Sequence, residues 1–236
     1  MRVLVSVRDR GEALLAARAG AHFIDLKEPR AGALGALPLE TVAAIVAALG
    51  AAGCTQPTSA TLGDLATHAA IVSRIDALCA LGVRYVKVGV ERGEAPLVGA
   101  LAARASRVVP VFIADRGVDL SLVEEAAAIP FAALMLDTAD KRAGSLLECA
   151  SERELRAFVA LARRLGRLCG LAGRLSATQL PLLAELAPDF AGFRSAACAG
   201  DRGGALDPGR LDRLLSLVAL SNHNGRSTRS DHEAAV

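Results

Sequence analysis

Of the 27 basic residues in this 236-residue chain only three are lysines, Lys27, Lys87 and Lys141. Everywhere else arginine supplies the positive charge. The two side chains differ in one chemically useful way. An ε-amine gives up its proton when it is desolvated or crowded by a second cation, whereas a guanidinium stays charged. A neutral amine can attack a carbonyl carbon and form an imine. The positions of the three lysines sharpen the point. Lys27 follows the apolar run Phe23-Ile24-Asp25-Leu26. Lys87 lies within Tyr85-Val86-Lys87-Val88-Gly89. Lys141 comes shortly after Leu134-Met135-Leu136-Asp137. Asp25 is two residues before Lys27, so in an extended strand both side chains point the same way. Asp137 and Asp115 follow two other apolar runs, and Ser6 lies near the end of the first; Asp115 and Ser6 are additional candidates. A single Asp-x-Lys is equally well read as a structural ion pair. Three lysines and three aspartates at run ends favour a site in which neighbouring amines lower one another's proton affinity.

Two later segments suit an anion. Gly170-Leu171-Ala172-Gly173-Arg174 precedes a helix start at Ser176, and Gly192-Phe193-Arg194-Ser195-Ala196-Ala197-Cys198 follows the last apolar run. Small residues let backbone donors approach a phosphate closely. Ala172, Gly173, Arg174, Gly192, Arg194, Ser195 and Ala196 are therefore the candidate phosphate-binding residues, with ordinary turn chemistry as the alternative. Arg194 would clamp the anion or pair with Asp189. The segment Glu28–Ala36, rich in small residues, reads as a flap over the site or as a plain connector.

The elements that must position these groups are legible. Eight short apolar runs are expected as strands: Arg2–Val7, His22–Leu26, Pro57–Thr61, Arg84–Val88, Val108–Ala114, Phe131–Leu136, Arg167–Ala172 and Phe190–Arg194. Helical patterns lie between them, such as Leu39, Val42, Ala43, Val46, Leu49 and Leu155, Phe158, Val159, Ala162, Leu165. Asp9 with Glu12, Ser151 with Glu154 and Ser176 with Gln179 have capping-box spacing. Asp207-Pro208 suits a helix start, and Gly20, Gly50 and Gly166 suit helix ends. Apolar strands separated by helices imply a parallel sheet covered by helices. Eight units in one chain of this length fit a single-domain (β/α)8 TIM barrel over residues 1–220. The rival, an open doubly wound sheet, would be expected to carry a Gly-rich loop after its first strand. The polar tail, 221–236, is expected to be disordered.

Composition narrows the class. Apolar residues make up 53% of the chain and the net charge is +2, so a globular protein is expected and a dedicated nucleic-acid binder is not. The opening Met1–Val7 is short and followed at once by charge, unlike a secretory leader. No apolar run is long enough for a membrane helix. Five scattered cysteines fit reduced thiols in a cytoplasmic protein. The four histidines lack neighbouring ligands, so no zinc or iron site is expected; no cofactor is expected either.

Taken together, Ile24-Asp25-Leu26-Lys27-Glu28-Pro29 with Gly32, Leu34 and Gly35, Tyr85–Gly89, Met135–Ala139 with Lys141, Leu171-Ala172-Gly173, and Gly192–Cys198 form a specific pattern. The chain resembles, over about residues 1–220, the (5-formylfuran-3-yl)methyl phosphate synthases, also called 4-(hydroxymethyl)-2-furancarboxaldehyde-phosphate synthases. The resemblance implies a barrel enzyme of methanofuran-type cofactor biosynthesis. It would condense two glyceraldehyde 3-phosphates with loss of phosphate and water. It further implies that Lys27 forms the Schiff base, that Lys87 accepts a proton, and that Asp25, Asp137 and Lys141 complete the site. Small phosphorylated carbonyl compounds would be the partners, and a homo-oligomer is compatible with the sequence. Two alternatives remain from the residues themselves: a class I aldolase or other sugar-phosphate barrel enzyme, and a non-catalytic barrel that senses a phosphorylated ligand.

Overall fold

The computed structural model of the chain describes residues 1–31, 34–139 and 144–233. Its strands are β1 (Arg2–Val7), β2 (Phe23–Leu26), β3 (Thr58–Thr61), β4 (Tyr85–Val90), β5 (Val108–Ile113), β6 (Leu134–Asp137), β7 (Cys169–Leu171) and β8 (Phe190–Phe193). Each pairs in parallel with its neighbour, and β1 pairs with β8, so the sheet closes into a barrel in sequence order. The helices are α1 (Arg10–Arg18), α2 (Leu39–Ala51), α3 (His68–Ala80), α4 (Ala95–Leu101), α5 (Leu120–Ala128), α6 (Leu146–Cys149), α7 (Glu152–Arg164), α8 (Leu180–Leu186) and α9 (Pro208–Glu233). The architecture is the (β/α)8 TIM barrel, with each expected strand within a few residues of an observed one.

Strand alternation divides the apolar residues into two cores. Val5, Ile24, Val86, Val88, Leu134, Leu136 and Leu171 point outward and pack under the helices. Leu4, Val109, Val111, Met135 and Phe190 point inward, with Phe23 and Tyr85 beside them at the barrel floor. Polar residues replace the inward apolar ones toward the C-terminal ends of the strands: Ser6, Asp25, Ser59, Lys87 and Asp137 are all buried. In an apolar interior such groups must be paired. The fold therefore encloses a set of charges above an apolar plug.

Helix ends follow the sequence chemistry in most places. Asp9 caps α1 by accepting from the Glu12 amide at 2.9 Å. The Ser151–Glu154 capping box starts α7. Gly20 and Gly166 take the left-handed φ that ends a helix. Gly50 does not: α2 runs through it to Ala51, and Gly53 supplies the positive φ instead. The last helix also departs from expectation, continuing to Glu233 where a disordered tail was expected from Ser221. Its first turns dock on the barrel through Leu211, Leu214 and Val218. Asn222 then exchanges two hydrogen bonds with the backbone of Met1. Once nucleated and anchored, a helix propagates through polar residues at little cost. Among the described residues no helix is long and apolar enough to cross a membrane.

Candidate active site

The C-terminal ends of the strands surround a cavity lined by Ser6, Asp25, Lys27, Lys87, Asp137, Thr138, Gly173, Ser195 and Arg202, among others. Ser6 is on β1, Asp25 on β2 with Lys27 just beyond it, Lys87 on β4 and Asp137 at the end of β6. Their inward direction follows from the register. Ser6 stands opposite Asp25, and Asp25 opposite Ser59. Lys141 lies outside the described residues.

Among the described residues two ion pairs organise the cavity, and they are unequal. Lys87 Nζ sits 2.6 Å from Asp25 Oδ2. The same oxygen accepts from Ser6 Oγ at 2.9 Å, and Asp25 Oδ1 accepts from Ser59 Oγ at 2.6 Å. Asp25 is 0% exposed, so this carboxylate is fully enclosed and fully partnered. Burial alone would raise its pKa. The charges of Lys87 and Lys27, with the hydrogen bonds from Lys87 and Ser59, overcome that and hold it below the usual carboxylate value. Lys27 is held more loosely, with Nζ 3.5 Å from Asp137 Oδ2. Burial pushes its amine below the ordinary lysine value, and the charges of Lys87 and Arg202 act in the same direction against Asp137 and Asp25. The sequence spacing paired Asp25 with Lys27. The structure instead gives Asp25 to Lys87 and leaves Lys27 the less committed amine.

The phosphate candidates divide. Ala172, Gly173, Arg174, Gly192, Arg194 and Ser195 line the cavity, while Ala196 faces an outer basin that adjoins it. Gly173 has φ +112°, and a Cβ there would lie 2.8 Å from Thr138 Oγ1 and 3.1 Å from the Thr138 amide. Only glycine suits both the dihedral and the space. Gly173→Ala is expected to cost about 1–3 kcal/mol through backbone strain and to displace Thr138 from the cavity wall. Equilibrium urea unfolding measures this; an unchanged midpoint and slope would contradict it.

Arg194 is not an anion clamp and does not pair with Asp189. Its Nη1 donates to Glu12 Oε2 at 2.5 Å and to the Ser6 carbonyl at 3.0 Å. Its Nη2 donates to Glu12 Oε1 at 3.0 Å and to the Gly204 carbonyl at 2.6 Å, and Nε donates to the Arg202 carbonyl at 3.0 Å. All five guanidinium N–H groups are thus spent on the protein. Asp189 instead accepts from the Cys169 amide at 2.8 Å. Asp115 stands outside the cavity lining. Its Oδ1 accepts from the Ala139 amide at 2.8 Å, which braces the loop after β6. The described parts of the Glu28–Ala36 segment are pinned. The Glu28 amide donates to the Gly35 carbonyl, which also accepts from Thr61 Oγ1 at 2.7 Å, and Leu34 packs against Gly89. Gly32 and Ala33 lie outside the described residues.

Spacing alone missed three contributors. Ser59 and Thr138 sit beside the expected residues on strand ends, and strand periodicity could have found Ser59. Arg202 had only a weak signal, the glycine-flanked run Gly200-Asp201-Arg202-Gly203-Gly204 after β8.

A closed parallel barrel with buried lysine–aspartate pairs at its C-terminal mouth has the build of a TIM-barrel enzyme. The 4-HFC-P synthase family model matches residues 3–215. A (5-formylfuran-3-yl)methyl phosphate synthase from Methanopyrus kandleri is 34% identical over 237 residues, covering 92% of this chain and 99% of the relative. A protein from Methylorubrum extorquens, given the same name in provisional form, is 43% identical over 219 residues, covering 92% and 91%. The chain belongs to the (5-formylfuran-3-yl)methyl phosphate synthase family. Among solved structures, phosphoribosyl anthranilate isomerase from Thermus thermophilus is similar with a TM-score of 0.65 at 18% identity, covering 93% of this chain and 98% of that one. The 3-hexulose-6-phosphate synthase from Salmonella typhimurium is similar with a TM-score of 0.65 at 17% identity, covering 92% and 100%. Both likenesses concern the fold.

Proposed function

We propose that the protein condenses two glyceraldehyde 3-phosphates into (5-formylfuran-3-yl)methyl phosphate, one phosphate and two waters, through an imine on Lys27, as a step toward a methanofuran-type cofactor. The observation that carries the reading is the inequality of the two buried lysines. Lys27, loosely paired and with its proton affinity lowered, has the properties of a nucleophile. Lys87, clamped by Asp25, has the properties of a proton carrier.

The chemistry follows from that division. The neutral Lys27 amine adds to the carbonyl carbon of the first triose phosphate. A Lys87 ammonium held by Asp25 is an acid before it is a base. It protonates the carbinolamine hydroxyl, which leaves as water, and the imine forms. The neutral Lys87 amine then takes the proton from the carbon next to the imine. The resulting enamine attacks the aldehyde of the second triose phosphate. Elimination of phosphate, ring closure and loss of water complete the furan, and hydrolysis of the imine frees Lys27. Asp137, beside Lys27, is placed to exchange protons with it. The role that the family resemblance gives Lys141 falls outside the described residues. The phosphate of one substrate would rest on the small-residue loops at Gly173 and Ser195. Five free thiols fit a cytoplasmic setting.

Incubation of the purified protein with glyceraldehyde 3-phosphate alone is expected to yield the furan phosphate, identified by mass spectrometry, with one inorganic phosphate per product. An open-chain sugar bisphosphate with no phosphate release would instead identify a class I aldolase. No conversion and no imine would leave the sensing barrel.

A further inference from the structure

We propose that Arg202 is the cationic side chain of the substrate's phosphate site. The inference rests on the reading that a phosphorylated substrate enters the cavity, and it names the group that the sequence pattern assigned to Arg194.

The loop after β8 is built to present this residue. Residues 198 and 206 form an antiparallel bridge, and the Ala199 amide donates to the Ala205 carbonyl. Within the turn, the Gly204 amide donates to the Asp201 carbonyl, and the Gly203 amide donates to Asp201 Oδ1 at 2.8 Å. Three successive carbonyls are then held by guanidinium groups from outside the turn. The Arg202 and Gly204 carbonyls accept from Arg194 at 3.0 and 2.6 Å, and the Gly203 carbonyl accepts from Arg8 Nη1 at 2.6 Å. Both arginines converge on the buried Glu12 carboxylate, which also accepts from the Leu206 amide at 3.2 Å. Gly204 has no room for a Cβ, which would run into the Ala199 carbonyl oxygen. A side chain that binds a ligand needs its backbone held by a supporting shell of hydrogen bonds, and this loop has one.

The Arg202 side chain is half-buried and lines the cavity together with Lys27, Asp137, Gly173 and Ser195. It also borders the outer basin with Arg30 and Arg174. The small-residue loops at Gly173 and Ser195 offer neutral donors, so a phosphomonoester's charge has to be met by the cations of the cavity, which Arg202 lines together with Lys27 and Arg174. A guanidinium matches phosphate oxygens in a bidentate fork and strengthens each hydrogen bond by its charge. Arg194 spends its five donors on the protein, and Arg202 lines the cavity on a loop whose backbone is held.

Inorganic phosphate, titrated by calorimetry, tests the proposal without relying on turnover. Wild type is expected to bind phosphate, and Arg202→Met to bind it about 10- to 100-fold more weakly. Arg202→Lys should fall between them. The KM for glyceraldehyde 3-phosphate should rise in the same order, while borohydride trapping at saturating substrate persists. Should Arg202→Met fail to fold, as shown by thermal unfolding, Arg202→Lys carries the same comparison with a smaller expected loss. Unchanged phosphate affinity in the variants, or no phosphate binding by wild type, overturns the proposal. Furan product with an unchanged affinity in Arg202→Met would sink this inference alone. Phosphate binding that depends on Arg202, with no furan product, would sink the proposed reaction and leave the anion site standing.

Discussion

Lys27→Arg is expected to lower turnover on the order of 10⁴-fold or more, the scale at which an essential nucleophile is lost. The substitution keeps a positive charge beside Asp137, so a purely electrostatic role for Lys27 would survive it. An attacking role would not, because a guanidinium stays protonated at any working pH. The pH dependence should agree. Burial holds the Lys27 amine below its ordinary value of 10.5. Below the lowered value the amine is an unreactive ammonium. The rate of imine formation should therefore climb as pH rises through the lowered value and level off before 10.5 is reached. The same shift carries a stability sign. Between the lowered value and 10.5 the unfolded chain binds more protons at this residue than the folded one, so its contribution to stability rises with pH across that window. A rate of imine formation that falls as pH rises from neutrality would contradict the neutral-amine account.

Asp25→Ala is the second large effect, and it acts on fold and chemistry together. Lys87 is 3% exposed, with Asp25 as its ion-pair partner at 2.6 Å. Removing one partner of a buried pair typically costs about 3–5 kcal/mol, because the other charge is left without compensation. Ser6 and Ser59 lose their acceptor in the same step. The loss should be read by urea unfolding at neutral pH. The ionised Asp25 contributes stability that is present above the ordinary carboxylate value of 3.8 and is lost as pH falls through its lower folded value. The gap between wild type and variant should therefore narrow in strong acid. Activity should fall by about 10²–10⁴, the usual worth of a positioned proton carrier. A variant as stable as wild type would show that Lys87 finds another partner and that the tight pair is not what organises the site.

Much of this arrangement is legible in the chain. Most of the strands announce themselves as apolar runs because a parallel barrel buries both strand faces, whereas β3, Thr58-Ser59-Ala60-Thr61, shows as a short β-prone run of hydroxyl residues. The scarcity of lysine makes Lys27 and Lys87 stand out, and period-two alternation gives their direction. Pairing across the barrel is another matter. Asp25 and Lys87 are 62 residues apart in sequence, and Arg194 and Glu12 are 182 apart. Nothing local distinguishes Asp189, five residues before Arg194, from a partner brought beside it only when β1 closes onto β8. Arg202 is hidden for the same reason. Its importance comes from Arg8, Glu12 and Arg194 gathering around its loop, and a glycine-flanked arginine looks like any surface turn. Helix capping was readable at Asp9 and Ser151 because those bonds are local. The continuation of α9 past Ser221 was not, since it depends on Leu211, Leu214 and Val218 docking and on Asn222 reaching Met1.

The central claim, that Lys27 is the imine-forming amine, is tested most directly by intact-protein mass spectrometry after borohydride reduction in the presence of glyceraldehyde 3-phosphate. Wild type and Lys87→Arg should each gain one reduced substrate adduct, located on Lys27 by peptide mapping, and Lys27→Arg should gain none. An adduct that persists in Lys27→Arg and disappears in Lys87→Arg or Lys141→Arg would place the imine on a different lysine and contradict the account.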